Sequence, residues 1–359
     1  MGALSKLTHF FKPSMKRTRV AINGAGRIGR AFVKIARERK EIEIVAMNDL
    51  GNIDNIAYLL KYDTAYGTSP FSVEVSADKK SIIVDGHPIA FVSEKDPAKL
   101  PWKDLKVDVV VESTGLFTSF AASKVHLDAG AKRVVISAPA KDDPAAANVP
   151  GATVLLGINE NLLETCEISS NASCTTNAGS PVMAILNETV GIEKAILSTV
   201  HGYTASQGIV DGPNKKDFRE GRAAAQNIVP SSTGAAIAVT KALPELAGKF
   251  DGISLRVPVV VGSVADITFL AKRNTSVEEI NKILSDAAND PRWKGIFTAT
   301  KEQFVSSDIV GMHYASIADL SFTRVVDGNL VKVLAWYDNE MGYTYTLVDH
   351  VVKAGKLIK

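Results

Sequence analysis

Hydrophobic and polar positions along the chain follow two periods, and the switches between them outline a fold. Arg19-Val-Ala-Ile-Asn23 is a short β-branched run of strand type, after which Ile28, Phe32, Ile35 and Ala36 recur at helical spacing to about Arg39. Ile42–Met47 returns to strand. Phe71–Val75 and Ser81–Val84 alternate as strands of an excursion over 62–100, with Asp85-Gly86 as a hairpin-type turn. Val107–Glu112 is almost continuously apolar, as in a parallel strand buried on both faces, and ends in Ser113-Thr114-Gly115. Thr118–Ala129 predicts a helix, and Arg133–Ser137 and Thr153–Gly157 predict further strands. This alternation predicts an α/β fold with a Rossmann-type doubly wound parallel sheet.

Past the middle of the chain the texture changes. A helix is expected at Pro181–Glu188 and a strand at Ala195–Val200, followed by a long polar, basic stretch, Ser206–Asn227, with Lys215, Lys216, Arg219 and Arg222. Stretches of that length without periodicity are usually functional or disordered. Ala235–Leu243 and Val277–Ala287 predict helices, while Leu255–Pro258, Ala265–Leu270 and Val331–Trp336 predict antiparallel strands. The last helix, Tyr345–Ala354, is long enough to pack back on the first half. The expected organisation is an N-terminal extension (1–15), a Rossmann domain (16–173, completed by the C-terminal helix within 343–359), and an α+β catalytic domain with a mixed or antiparallel sheet (174–342).

Composition narrows the class. The 359 residues carry 41 Lys plus Arg against 39 Asp plus Glu, a net charge of +2, so no bulk field draws the chain to nucleic acid or membrane. No apolar run reaches the roughly 18 residues of a transmembrane helix. Two cysteines, Cys166 and Cys174, are too few for a disulfide framework and fit a reducing, cytoplasmic setting. Met1–Ser14 holds lysines and no acid and reads as an extension before the first domain, which leaves organelle targeting open.

Candidate chemistry sits in two places. Gly24-Ala-Gly26-Arg-Ile-Gly29 lies between strand and helix, the context that makes a G-x-G-x-x-G motif a dinucleotide site. Gly24 permits the turn, Gly26 lets a pyrophosphate approach, Gly29 lets helix and sheet close up, and the helix N-terminus offers N–H donors. Asp49, 20 residues beyond Gly29, can accept both ribose hydroxyls and would repel a 2′-phosphate, which favours NAD over NADP. The second place is Cys174, in Ser170-Asn-Ala-Ser-Cys-Thr-Thr-Asn177, before a helix. There, N–H groups and the helix dipole favour thiolate. A thiolate needs a proton acceptor. Of the six histidines, His201, ending an apolar strand beside Gly202, Tyr203 and Thr204, is the best placed, the alternative being a satisfied core imidazole. An activated thiol beside a nicotinamide cofactor suggests oxidation of an aldehyde through a thioester. No His, Cys and acid cluster has metal-ligand spacing, and no metal is expected.

These residues carry a resemblance. Asn23-Gly-Ala-Gly-Arg-Ile-Gly-Arg30, the cysteine stretch, His201-x-x-Thr204, Ser232-Thr-Gly-Ala-Ala236, Arg256-Val-Pro258 and Trp336-Tyr-Asp-Asn-Glu-x-Gly-Tyr343 are similar to phosphorylating glyceraldehyde-3-phosphate dehydrogenases, over nearly all of the chain from Lys16. The resemblance implies NAD, inorganic phosphate as co-substrate, a homotetramer, and a long loop reaching a neighbouring subunit's cofactor. It makes Cys174 the nucleophile and His201 its base. It assigns Ser173, Thr175, Thr233 and Gly234 to the attacking phosphate, and Thr204 and Arg256 to the substrate's own phosphate. Arg27, Ile28 and Asp49 would contact the adenosine diphosphate part, Lys95 would contribute through backbone, Ser137 would meet the middle of the cofactor and Asn339 the nicotinamide amide. Leu50 and Pro213 are of the NAD-preferring type. Departures are Ala178 where many members have a second cysteine, Lys95 where Arg is usual, an insertion over 141–151, and the leader. Two rivals are erythrose-4-phosphate dehydrogenase chemistry and a non-catalytic binding protein with an RNA or protein partner, for example one holding RNA through the adenosine site and the basic stretch Lys215–Arg222. Nucleic acid is not expected as a main partner.

Overall fold

The computed structural model describes residues 17–215 and 217–358; the extension 1–15, Lys16, Lys216 and Lys359 lie outside the described residues. In chain order the first half supplies β1 (Thr18–Asn23), β2 (Ile42–Asn48), β3 (Tyr62–Asp63), β4 (Gly67–Thr68), β5 (Val73–Val75), β6 (Ser81–Val84), β7 (His87–Val92), β8 (Val109–Glu112), β9 (Arg133–Ile136), β10 (Gly151–Thr153) and β11 (Ile168–Ser170). Apart from the β3–β4 ribbon, these form one sheet in the order β10-β11-β9-β8-β1-β2-β7-β6-β5. Pairing is parallel from β10 through β7, and β6 and β5 add antiparallel at the edge.

β1 neighbours both β2 and β8, so the crossovers leave it in opposite directions. The crevice above the carboxyl ends of these strands is where open α/β sheets take ligands. The Asp85-Gly86 turn is present, and the strand it leads into is β7, which joins the parallel core beside β2. The helix expected over Thr118–Ala129 is broken into two short pieces, α3 (Phe120–Ser123) and α4 (Val125–Asp128). α1 (Arg27–Ala36) follows the glycine turn and α2 (Ile53–Lys61) follows β2.

The second half builds β12 (Ile192–Gly202), β13 (Val229–Ser232), β14 (Phe250–Val257), β15 (Ser263–Ala271), β16 (Phe297–Thr300), β17 (Ser316–Val326) and β18 (Leu330–Tyr337), ordered β13-β14-β12-β15-β18-β17-β16. The sheet is mixed. β14, expected among antiparallel strands, runs parallel to β12 and antiparallel to β13. α5 (Cys174–Thr189), α6 (Ala235–Ala242) and α7 (Val277–Ala287) contribute Val182, Leu186, Val239, Ile280 and Leu284 to the core beneath this sheet. α8 (Met341–Lys356) leaves β18 and returns to the first sheet, where Leu347, Val348 and Val351 join Val20, Ile22 and Phe32 in one core.

Candidate active site

α5 begins seven residues before the helix that hydrophobic spacing suggested. Its first turns are Cys-Thr-Thr-Asn-Ala-Gly-Ser-Pro, poor helix formers apart from Ala178, yet every residue from Thr175 to Leu186 is buried, and tertiary packing overrides propensity. The strand ahead of it is β11, only three residues long, rather than the expected Thr153–Gly157. Between them Ala172 takes a left-handed φ of +54° and Ser173 caps the helix, its Oγ accepting from Thr176 N at 3.1 Å. Cys174 is therefore the first helical residue. Asn171 and Ser169 in the approach are held by a buried imidazole. His350 Nδ1 donates to Asn171 Oδ1 (3.0 Å), while its Nε2 accepts from Ser169 Oγ (2.7 Å).

β12 ends at the same place. Its pairing sets His201 opposite Arg256 of β14, and His201 Nε2 lies 3.4 Å from Cys174 Sγ. The Nδ1 edge faces two partners at 2.6 Å each, the Gly202 carbonyl and Arg256 Nη1. If Nδ1–H donates to the carbonyl, Nε2 presents a lone pair to sulfur; if Nδ1 accepts from arginine, Nε2 carries the proton. The first tautomer leaves Nε2 free to take the proton from Sγ. Below the ring stands Tyr337, buried and edge-on (centroids 5.9 Å, 72°). Its hydroxyl bridges Thr175 Oγ1 at 2.8 Å and Thr199 Oγ1 at 2.6 Å, fixing α5 against β12.

The expectation that the helix terminus favours thiolate needs correction. Burial pushes the Cys174 thiol above its ordinary value, although Arg256 and the Thr175 hydroxyl and N–H act in the other direction. Burial, helped by Arg256, pulls His201 down to about 3 against the Gly202 carbonyl. Each group taken singly is neutral at neutral pH. Moving the proton from Sγ to Nε2 creates both charges together, however, and at 3.4 Å their attraction is about 5 kcal/mol for an effective dielectric near 20. The pair is thus a neutral couple poised to ionise jointly.

His350, buried, is likewise pulled down to about 3, by burial and then Lys353. Both imidazoles have a folded value below the unfolded one of about 6.5. Between these values the unfolded chain binds more protons. Stability is therefore fully present above about pH 6.5 and falls below it by up to about 1.4 kcal/mol per pH unit for each imidazole. Denaturant midpoints at about pH 7 and about pH 5 should show this, and His350→Gln should flatten the dependence by one imidazole's share. An equal pH slope in that variant would refute the assignment to His350.

The cofactor candidates gather at the first sheet. Gly24 has φ +102°, and a Cβ there would meet Thr114 N at 2.7 Å; one at Gly29 would lie 2.0 Å from Gly24 O. Beside Gly26, by contrast, there is open space. The N-terminus of α1 has no side-chain cap, which leaves the N–H groups of its first turn, those of Arg27 and Ile28 among them, without an intrahelical partner. A cavity of about 340 Å³ there is lined by Gly24, Gly26, Asp49, Leu50, Lys95 and Thr114, among others. Asp49 is fixed by N–H groups of Ala25 (2.7 Å) and Gly51 (2.8 Å). These features fit a dinucleotide whose phosphates meet backbone and whose ribose meets a carboxylate. The Arg27 side chain is turned elsewhere, to Glu340 and Asp63. Ser137, just past β9, donates to Tyr343 Oη (3.1 Å), which donates to the Ala172 carbonyl (3.1 Å). Asn339 sits in the β18–α8 turn, its Oδ1 accepting from Gly262 N and Ser263 Oγ.

Of the anion candidates, Arg256 is in the contact set, and its buried Nε has no partner in the structure. Thr204, in the loop leaving β12, bonds Gln207 through N–H (2.7 Å). Thr233 and Gly234 open α6, with Thr233 Oγ1 accepting from Ala235 N. The two arginines of the basic stretch pair with neighbours, Arg219 with Asp217 and Arg222 with Asp211. Among the described residues no group of three or more His, Cys, Asp or Glu could hold a metal ion.

Residues 18–120 match the family model for the NAD binding domain of glyceraldehyde 3-phosphate dehydrogenase, and 173–339 match the model for its C-terminal domain. The chain belongs to the glyceraldehyde 3-phosphate dehydrogenase family. Glyceraldehyde-3-phosphate dehydrogenase 2 of Saccharomyces cerevisiae is 46% identical over 342 residues, 94% of this chain and 99% of the yeast protein. The glyceraldehyde-3-phosphate dehydrogenase of Streptomyces coelicolor is 46% identical over 340 residues, 94% and 98% of the two chains. Glyceraldehyde-3-phosphate dehydrogenase 1 of Trichormus variabilis is 47% identical over 337 residues, 93% and 96%. The glycine turn and Asp49 fall in the first family segment; Cys174, His201 and Arg256 fall in the second.

Proposed function

We propose that this chain catalyses the NAD-dependent, phosphorylating oxidation of D-glyceraldehyde 3-phosphate to 1,3-bisphosphoglycerate. The observation that carries it is the 3.4 Å contact between Cys174 Sγ, at the head of α5, and His201 Nε2, in a chain of this family. When bound, NAD supplies the acceptor for the two electrons and the hydrogen removed from the aldehyde carbon. The side chains do the rest. Cys174 gives its proton to His201, and Sγ bonds to the aldehyde carbon, leaving an oxyanion that the imidazolium Nε2 protonates to a thiohemiacetal. As that carbon is oxidised, His201 takes the hydroxyl proton and a thioester remains on Sγ. Inorganic phosphate, held by Ser173, Thr175, Thr233 and Gly234, then attacks the carbonyl. The C–S bond breaks, and the departing thiolate faces the imidazolium again.

Arg256 and Thr204 hold the substrate's own phosphate. A buried Nε–H without a partner costs about 1–3 kcal/mol, which an anion bound there would recover. Gly24, Gly26, Gly29, Asp49 and Lys95, with the backbone N–H groups alone of Arg27 and Ile28, hold the adenosine diphosphate half of NAD, with Ser137 and Asn339 toward the nicotinamide. Residues 16–173 with the C-terminal helix form the cofactor domain, and 174–342 the catalytic domain.

The chain acts as a cytoplasmic homotetramer. The face of the second sheet opposite α5 carries half-buried Val200, Leu255, Val264, Leu334 and Trp336, with Ile196 at 57% and Ile253 at 49% exposure, around the Asp266–Lys332 ion pair, a mixed surface suited to a second copy. No helix of the described residues is long and apolar enough to cross a membrane.

The test follows NADH absorbance with NAD and glyceraldehyde 3-phosphate. Sustained turnover that requires phosphate, with NADP a poor substitute, is expected. Undiminished turnover in the absence of phosphate would defeat the phosphorolytic step.

A further inference from the structure

Arg27 stands at the first position of α1, directly after Gly26, yet its guanidinium does not point into the cofactor cavity. It reaches across 313 residues of sequence to Glu340, with Nε donating to Oε1 at 2.8 Å and Nη2 to Oε2 at 2.5 Å. The remaining edge bonds Asp63, at 2.8 and 3.2 Å. Four donors of a planar fork are thus committed, in the bidentate geometry that fixes orientation as well as distance. The acids are well covered, Glu340 at 12% and Asp63 at 5% side-chain exposure, while Arg27 is 36% exposed, so these pairs are partly screened. Burial opposes the guanidinium charge, but Glu340 and Asp63 outweigh it and hold the group above its ordinary value.

A second path runs beside the first. Asp63 also accepts from N–H of Ala65 (2.9 Å) and Tyr66 (3.2 Å), and the Tyr66 ring lies under the Arg27 guanidinium at 5.7 Å. The Tyr66 hydroxyl donates to Asp338 at 2.9 Å. Asp338 in turn collects N–H groups of Gly311, Glu340 and Met341 at 2.8–2.9 Å. Asn339 is the residue between the two anchored acids, and its own Oδ1 is held by Gly262 and Ser263. The turn that meets the pyrophosphate and the turn that meets the nicotinamide are therefore tied by one arginine, three carboxylates and a tyrosine.

We infer that the Arg27–Glu340 pair, seconded by Asp63 and Tyr66–Asp338, is a positioning clamp that registers the phosphate turn against Asn339, so that both halves of one NAD molecule are met together. This rests on the NAD reading above. An adenosine fragment needs only the phosphate turn, whereas the whole dinucleotide needs both turns at a fixed separation.

The test compares NAD with ADP-ribose, which lacks the nicotinamide, by calorimetry on wild type, Glu340→Gln and Arg27→Met. Each single variant should weaken NAD about tenfold while ADP-ribose stays within about twofold, the size expected for losing a charge-assisted contact. The double variant should be no worse than the worse single one, because the two residues act as a unit. Tyr66→Phe removes one hydroxyl from the second path and should give a smaller effect of the same pattern, a check that survives should a charge variant fail to fold. Equal weakening of both ligands would overturn the clamp in favour of a plain phosphate contact. Unchanged NAD affinity with a lowered melting temperature would overturn it in favour of a structural role alone. If wild type retains ADP-ribose but gains nothing from the nicotinamide, the functional reading itself fails, which is a separate outcome.

Discussion

Cys174→Ser should retain NAD affinity within about twofold and lose steady-state NADH formation by a factor on the order of 10⁴–10⁶, as when an enzyme loses its nucleophile. Residue 174 does not line the cavity assigned to the adenosine half, so most of the contacts that hold NAD are left in place. The chemistry does change. A serine hydroxyl in this buried position is far harder to ionise than a thiol, and the imidazole facing it is pulled down to about 3, too weak a base to take the proton without a joint ion pair to stabilise the result. The measurement is NADH absorbance at saturating phosphate, beside fluorescence titration of NAD. Activity within a hundredfold of wild type, about 10², would remove Cys174 from the mechanism.

His201→Asn should lower the acylation rate about 10²–10⁴-fold and change its pH dependence. In wild type the proton moves between two groups in contact, so the rate is set by the couple. In the variant the thiol must ionise alone, and its value stands above the ordinary one through burial. The variant's rate should therefore climb steadily into the alkaline range, where wild type has already levelled. Single-turnover acylation across pH decides this. A profile scaled down but unchanged in shape would mean that His201 orients substrate without taking the proton.

Much of this was visible in the sequence because its cause was local. A glycine turn between a strand and a helix, and an acid a fixed distance on, are short-range features, and the structure places both around one cavity. Cys174 and His201 were legible as types in context, and the fold supplied the contact. What was hidden depends on distant partners. β11 is three residues long and has no period to detect. The start of α5 is written in residues that favour caps and turns, and only burial on all sides makes them helical. β14 looks like any alternating strand, and its direction follows from where β12 lies. The basic residues Arg219 and Arg222 read as a patch until Asp217 and Asp211 close on them. Tyr337, in a motif quoted for its neighbours, carries the contact between α5 and β12. The thiol's ionisation was misjudged for the same reason: a helix terminus is seen in sequence, and desolvation is not.

The return of α8 has a consequence for biosynthesis. The core under the first sheet needs Leu347, Val348 and Val351 alongside Val20 and Phe32, so a ribosome must translate the long stretch between α1 and α8, whose Arg27 and Glu340 lie 313 positions apart, before that core can close. The first half emerges early and waits with one face uncovered, which makes it a client for chaperones throughout elongation. Emergence of α8, rather than of the amino-terminal half, is the event after which this core can close.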